Sequence, residues 1–413
     1  MHSPFFEHIF GQIHFYSFQN MNPNEYLDKL KNIQQNILQY IDDVSDSEDK
    51  FQNIKDNLTK SKIKDDRYEL KPFLRYLSKL SNNHHRTANF FSKIDRIIDY
   101  LKDDLRKFYS NSELFDIFKS NKRLLLFLIE AKIIIFDESI AQLIMQYKYL
   151  KAKYPQYFQP EIQPFINKAW FLEYTEEEEG NSCILEIEKE IPKNFYELRK
   201  IGENDNFVCE LIRKDSLDDF IVYMNKNNYQ LDSTINPSIY ETNNYILKNE
   251  SFYQPKNSTI IEYSAFFGSI QIFNYLKNNG VELTPSLWYY AIHGKNAEII
   301  QILEDNQIKP TFWSYKRILK ESIKCHHNEI ADHIQENYLL LNNEEEEKEE
   351  EEEYSIFVNG LKHYNFYFIQ NEQINETTFN YLCEYDYYRL VSILLNTMNI
   401  DINYKKIYKI IYF

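Results

Sequence analysis

The sequence predicts an all-α protein: a helical N-terminal region followed by an irregular α-solenoid of short paired helices. Three observations carry that expectation. Apolar residues recur at three-and-four spacing through the first 150 positions, and a short helix-turn-helix pattern repeats through the second half. Only 7 Gly and 11 Pro in 413 residues leave few punctuators for a fold built from tight hairpins.

Residues 1–21 are expected to be a disordered leader, or sequence ahead of a true start at Met21. They are rich in Phe, but they lack a basic stretch, and Glu7, His8, Gln12 and His14 interrupt any apolar run, so they do not read as a signal peptide. The helical region is expected over 22–150. Asn22 suits an N-cap, Pro23 the first helical position and Glu25 the third. Leu27, Leu30, Ile33, Ile37, Tyr40, Ile41 and Val44 then form one buried stripe. A shorter helix is expected around Phe73 to Leu80, and a third over Phe90 to Phe108. Ser110 with Glu113 forms a capping box ahead of Leu114 to Phe118, and Ser120-Asn121 breaks the chain before the helix from Leu124. Leu124 to Phe136 is too short to cross a bilayer and carries Glu130 and Lys132, so it is expected to be buried helix.

Residues 151–204 read as an irregular connector with four prolines and an acidic run at Glu176 to Glu179. The net charge is −16, and Glu344 to Glu353, nine Glu and one Lys, concentrates half of it. That low-complexity tract is expected to be a solvated insertion at 342–353, since like charges at such density repel. A chain this acidic makes a poor non-specific nucleic-acid binder. Four scattered cysteines without a C-x-x-C pair suggest a reducing compartment, and hence a cytoplasmic protein with the nucleus as an alternative.

Residues 205–413 carry the repeat. Each copy has a turn residue, then a polar residue, two apolar residues and a further apolar residue three positions on. The copies are Asp215 with Phe220, Ile221 and Met224; Gly268 with Ile272, Phe273 and Leu276; Gly294 with Ile299, Ile300 and Leu303; Cys325 with Ile330, Ala331 and Ile334; and Asp386 with Leu390, Val391 and Leu394. The first apolar positions are separated by 52, 27, 31 and 60 residues, so each wide gap leaves room for a degenerate unit. One such helix buries too little surface alone, and stacking neighbours supplies a continuous core. Small residues at Ala265, Ala291, Ser322 and Gly360 mark where first helices approach each other.

Thr259 to Gly268, followed by Gln271 to Leu276 and Asn278 to Leu283, resembles the ankyrin repeat almost position by position; Arg389 to Leu395 with Ile400 to Asn403 resembles the end of another copy. The Asn, Ile, Lys and Tyr-rich composition, with Ser81 to Arg86 and Phe118 to Arg123, is similar to the large ankyrin-repeat family of trichomonad protists, which has an uncharacterised helical region ahead of its repeats. The resemblance implies an ankyrin-type solenoid that binds other proteins on its groove, without chemistry. The chain departs from the pattern at Ile260, where proline is usual, at Glu262, where histidine is usual, and at Phe266 and Phe267, where polar residues are usual. The apolar segment 404–413 reads as the start of a further unit, a face through which copies of the chain would self-associate.

The seven glycines form no phosphate-cradling motif, and no G-x-S-x-G elbow is present. His84 and His85 are adjacent, an arrangement that points side chains apart on regular elements; Cys325, His326, His327 and His333 lack a second ligand pair. No metal and no cofactor are therefore expected, and no catalytic residues. The aromatic residues are the better lead: Phe266, Phe267, Trp288, Tyr289 and Trp313 are candidate partner-binding residues, with core packing as the competing explanation. The alternative reading is an enzyme whose active site lies near His84 to Arg86.

Overall fold

The computed structural model of the chain describes residues 22–45, 47–146, 153–168, 170–171, 190–243, 245–246, 250–251, 254–255, 257–310, 315–339, 355–370 and 374–397. The leader, both acidic runs, Trp313 and the segment 404–413 lie outside these residues. Among the described residues the fold is all-α apart from a two-residue ladder, Glu250–Ser251 (β1) against Gln254–Pro255 (β2), and an isolated bridge between Thr234 and Thr259. Among the described residues no helix is long and apolar enough to cross a membrane.

The N-terminal region comprises Pro23–Ile41 (α1), Glu48–Ser61 (α2), Arg67–Asn83 (α3), Phe90–Tyr100 (α4), Lys102–Phe108 (α5), Asn111–Phe118 (α6), Lys122–Glu130 (α7) and Glu138–Met145 (α8). α1 starts as its sequence dictates: the Asn22 side chain accepts from the Asn24 N–H and Pro23 stands in the first turn. Its stripe from Leu27 to Ile41 is buried, whereas Val44 lies beyond the helix end and is exposed. The capping box of Ser110 and Glu113 forms as expected at α6. α2 was not expected: its few apolar residues Phe51, Ile54 and Leu58 are the buried ones, and they pack the helix on α1. The rhythm over 90–108 breaks at Leu101, where α4 passes into α5.

The connector contributes Tyr154–Tyr157 (α9), Gln159–Ile162 (α10) and Phe195–Ile201 (α11). Then come paired helices. Phe207–Arg213 (α12) is followed by Leu217–Lys226 (α13), Ile260–Phe266 (α14) by Ile270–Asn278 (α15), Leu287–Gly294 (α16) by Ala297–Asp305 (α17), and Tyr315–Lys324 (α18) by Asn328–Ile334 (α19). Ile356–His363 (α20) is followed only by a single 3-10 turn, and Glu376–Glu384 (α21) pairs with Tyr388–Thr397 (α22). The first helices pack in series, α12 on α14, α14 on α16, α16 on α18, α18 on α20 and α20 on α21; α13, α15 and α17 form a second row.

A left-handed residue hinges each pair: Asp215 (φ 47), Gly268 (φ 66), Lys295 (φ 49), His326 (φ 59), Tyr364 (φ 55) and Asp386 (φ 65). The next N–H reaches back to the first helix, as from Ser216 to Leu211, Ser269 to Ser264, His327 to Ser322, Asn365 to Gly360 and Tyr387 to Leu382. That is the Schellman bond that satisfies a terminal carbonyl. In two units the hinge therefore falls one residue later than the sequence alignment placed it, at Lys295 and His326 instead of Gly294 and Cys325. Gly294 is glycine for a different reason. A Cβ there would sit within contact distance of the Ala265 carbonyl, so its absence sets how closely α14 and α16 approach. Ala265, Ala291 and Ser322 are fully buried at such contacts, as their spacing suggested.

Two apolar clusters organise these helices, and they do not follow the division at 204/205. One runs from Val208 to Ile334 with Phe368. The other joins Tyr26 through Phe171 to Phe357 through Leu394. The cause is that the last helices return to the N-terminal region. α22 packs on α1 and α3, Gln34 donates to the Tyr364 carbonyl at 3.1 Å, and Lys71 meets Asp386 at 3.0 Å.

Candidate functional site

The sequence-predicted residues divide sharply. Trp288 is 0% and Phe266 3% exposed, so neither ring is available as an anchor for a partner. The Trp288 indole N–H donates to the Ile308 carbonyl at 2.6 Å, and its ring packs edge-on against Tyr315 and Tyr338. Phe267 and Tyr289 are half-buried. Tyr245 of the chain itself lies over this face, stacked at 6.5 Å on Phe266, 6.1 Å on Tyr289 and 4.7 Å on His293. The departures at 266 and 267 thus serve internal packing. Glu262 has a similar explanation: with Thr259 it closes a capping box, and it also accepts from the Ser286 hydroxyl at 2.6 Å.

The residues that assemble a site are those at the end of α3. Within this last turn Ser81, Asn82 and Asn83 bond back to carbonyls of their own helix, so polar side chains that lower helix propensity act here as terminal caps. Past Asn83 the chain turns extended at His84 (φ −69, ψ 151). The segment then meets the hinge ends of α16 and α18 and the chain at Asn243 and Glu203. The Asn82 carbonyl accepts from Asn243 Nδ2 at 3.0 Å, and the Asn83 carbonyl lies 3.1 Å from His293 Nδ1. His84 Nδ1 lies 2.8 Å from the Cys325 carbonyl, and Arg86 pairs with Glu203. Asp42, capping the C-terminus of α1, meets His84 Nε2 at 2.7 Å through Oδ1 and Lys295 at 2.7 Å through Oδ2. Asn82 to Arg86 thus tie the end of α3 to the paired helices by polar contacts.

The same seam gathers His84, His85, His293, His326, His327 and His363, six of the ten histidines. Adjacency does not keep His84 and His85 apart, because they follow the helix end instead of sitting on it. Their ring centroids are 4.6 Å apart, and that of His327 lies 4.8 Å from His84 and 5.4 Å from His85. Sequence proximity misled in the opposite sense at 325–333. Cys325 faces His293, His326 faces Tyr76 at 5.2 Å, His327 joins His84 and His85, and His333 stands apart on Glu304.

Electrostatics separate the seam into charged pairs and neutral rings. Both ring nitrogens of His84 face acceptors, the Cys325 carbonyl and the Asp42 carboxylate. Burial opposes ionisation of Asp42, yet the hydrogen bond from His84, with the Lys295 charge beside it, holds its carboxyl well below the usual carboxylate range. Burial likewise opposes ionisation of Glu321, and Lys324 with His293 overrides it in the same direction. By contrast burial, reinforced by His84, pushes His85 down to about 3 and His327 well below its usual value, so both are neutral at physiological pH. His327 donates from Nδ1 to the Ile292 carbonyl at 2.7 Å; its Nε2 and the Nδ1 of His85 have no hydrogen-bond partner among the described residues.

Beside the seam lies a cleft of about 310 Å³ lined by Lys153, Asn204, Ser238, Glu241 and Ser258 among others. Burial, with Glu203 nearby, raises Glu241 to about 7. The two lining hydroxyls are engaged elsewhere: Ser238 accepts from the Tyr240 N–H and Ser258 bonds the Tyr290 hydroxyl. They do not make the nucleophile-and-base pair that acyl transfer needs.

No family model, curated protein or solved structure matches the chain.

Proposed function

We propose that the paired helices form an irregular ankyrin-type solenoid whose role is to bind another protein, with no chemical step. The carrying observation is the series of helix pairs with a left-handed hinge in every unit and small residues at first-helix contacts. Such a stack presents a large surface without needing a catalytic cleft. Because Trp288 and Phe266 are buried and Tyr245 covers Phe266 and Tyr289, the partner is expected to meet the first pair. There Phe207, Val222 and Tyr229 are exposed around Tyr223, whose ring packs edge-on against Phe207 at 4.9 Å and stacks on Tyr229 at 6.0 Å. Clustered aromatic rings of this kind make binding anchors.

The test compares the full chain with a Phe207→Ala, Tyr229→Ala double variant of matched urea stability. The reading expects a protein retained stoichiometrically by the wild type, rebuilt from purified components, and lost with the double variant. A partner set indifferent to both rings, or turnover of a small substrate abolished by Glu241→Gln, would count against it.

A further inference from the structure

We infer that Asp42, His84, His85 and His327 form a binding site for one divalent transition ion of the zinc type, which staples the N-terminal region to the paired helices. One ring nitrogen from each of the three histidines lies within 4.8 Å of the others, and Asp42 Oδ1 is 2.7 Å from His84 Nε2 and 3.6 Å from His85 Nε2. Zinc bonds to nitrogen and oxygen are about 2.0–2.1 Å, so the edges of a tetrahedral set are about 3.3–3.4 Å. The Asp42 edges bracket that value. Asp42 lies outside the histidine trio whose ligand atoms fall within 4.8 Å of one another, so closing the set on an ion takes side-chain movement that brings His327 and Asp42 together.

The outer partners fit as well. An imidazole that binds a metal through one nitrogen usually donates from the other to a carbonyl or carboxylate, which fixes its tautomer and direction. His84 Nδ1 faces the Cys325 carbonyl and His327 Nδ1 faces the Ile292 carbonyl, which leaves Nε2 of each as the ligand atom. Both rings are fully buried, and His327 Nε2 is a buried acceptor without a partner among the described residues, a costly arrangement that a ligand would relieve. Three imidazoles and one carboxylate suit zinc over calcium or magnesium, which take oxygen sets. Lys295 holds the other oxygen of Asp42, so the carboxylate offers one atom only. Binding would exchange the His84 Nε2–Asp42 Oδ1 hydrogen bond for bonds to the ion. The ion would bridge Asp42, His84 and His85 on one side to His327 on the other, 242 positions from His85 in the sequence. The neighbouring trio of His293, Glu321 and Cys325 is a weaker candidate, because it offers a single imidazole and three donors at most, and His293 and Lys324 share the same Glu321 oxygen.

The experiment uses the full chain, stripped with a chelator and titrated with Zn(II) in competition with a chromophoric chelator, and with Co(II) for its visible spectrum. One equivalent is expected, with the intense Co(II) bands of a tetrahedral site. Binding should be lost in His85→Ala and His327→Gln and kept in His333→Ala and Cys325→Ser. Should His327→Gln fail to fold, His85→Cys decides: a thiolate-to-cobalt charge-transfer band must appear that the wild type lacks, which loss of packing cannot mimic. No stoichiometric binding by the wild type, binding indifferent to His85→Ala, or a thiolate band already present in the wild type would each overturn the assignment, the last by moving the ion to Cys325.

Discussion

Gly294 shows how one residue answers to packing over local propensity. It is helical, and by propensity alone Gly294→Ala should stabilise α16 by about 1 kcal/mol. The Ala265 carbonyl and the Gly268 N–H crowd the position a Cβ would take, so α14 and α16 must separate. Overpacking of that kind costs about 1–3 kcal/mol, and urea unfolding of Gly294→Ala should show a loss in that range. A gain would mean that the helices part freely. Glu241 gives a second residue-scale prediction, with its sign fixed by linkage. Its folded carboxyl titrates near 7, above the usual 4.5, because burial disfavours the anion. Between those values the folded state binds more protons than the unfolded chain, so this group lowers stability as pH rises from about 4.5 to 7. Glu241→Gln keeps an acceptor for the Asn243 N–H and removes the charge. Relative to wild type the variant should gain about 2–3 kcal/mol at pH 8 over its difference at pH 5, and equal differences at both values would refute a buried anion.

Individual helices are stabilised by chemistry that the sequence often displays. Thr259 caps α14 by accepting from the Glu262 N–H while Glu262 accepts from the Thr259 N–H. Thr259→Ala should cost about 1 kcal/mol, and the loss should shrink when Glu262 is also replaced, as a double-mutant cycle would register. The Asn22-Pro23 start and the Ser110 box were legible because each depends on residues within three or four positions, whereas Glu262 read only as a departure from the repeat pattern. α2 was not. Its charged and amide residues hide three apolar side chains whose value comes from contact with α1. The hinge register was half legible: glycine marks it at Gly268, but Lys295, His326 and Tyr364 adopt the same left-handed conformation without a compositional signal, held by the Schellman bond and tertiary packing. The same hinge closes α7, where Lys132 (φ 57) precedes an N–H from Ile133 to the Leu128 carbonyl, inside a region whose sequence shows no repeat. The histidine site was least legible of all. Its members come from a helix cap, a post-helical turn and a distant hinge, and sequence spacing holds no record of that meeting.

At the scale of the molecule, the helix pairs do not end in a free face within the described residues. In an open stack each unit touches only its neighbours, so removing the last units costs little more than their own interface. Here α20 to α22 belong to the same apolar cluster as α1 and α3. Polar links reinforce the join: Gln34 bonds both the Tyr364 carbonyl and the Tyr367 N–H, and Arg389 meets Glu69, which Lys29 also pairs. Deleting the chain after residue 354 would uncover the flanks of α1 and α3 on which α22 packs. It would also strip the buried Glu69 of one of its two cations, leaving a carboxylate only partly compensated. Amide hydrogen exchange reads the consequence element by element. Protection in α1 and α3 should collapse in the deletion, although both lie more than 270 residues earlier in the sequence, while α14 to α17 keep most of theirs through the second cluster. If protection is lost only at α18 and α19, next to the cut, the stack is open, and the return of the last helices contributes nothing to the N-terminal core.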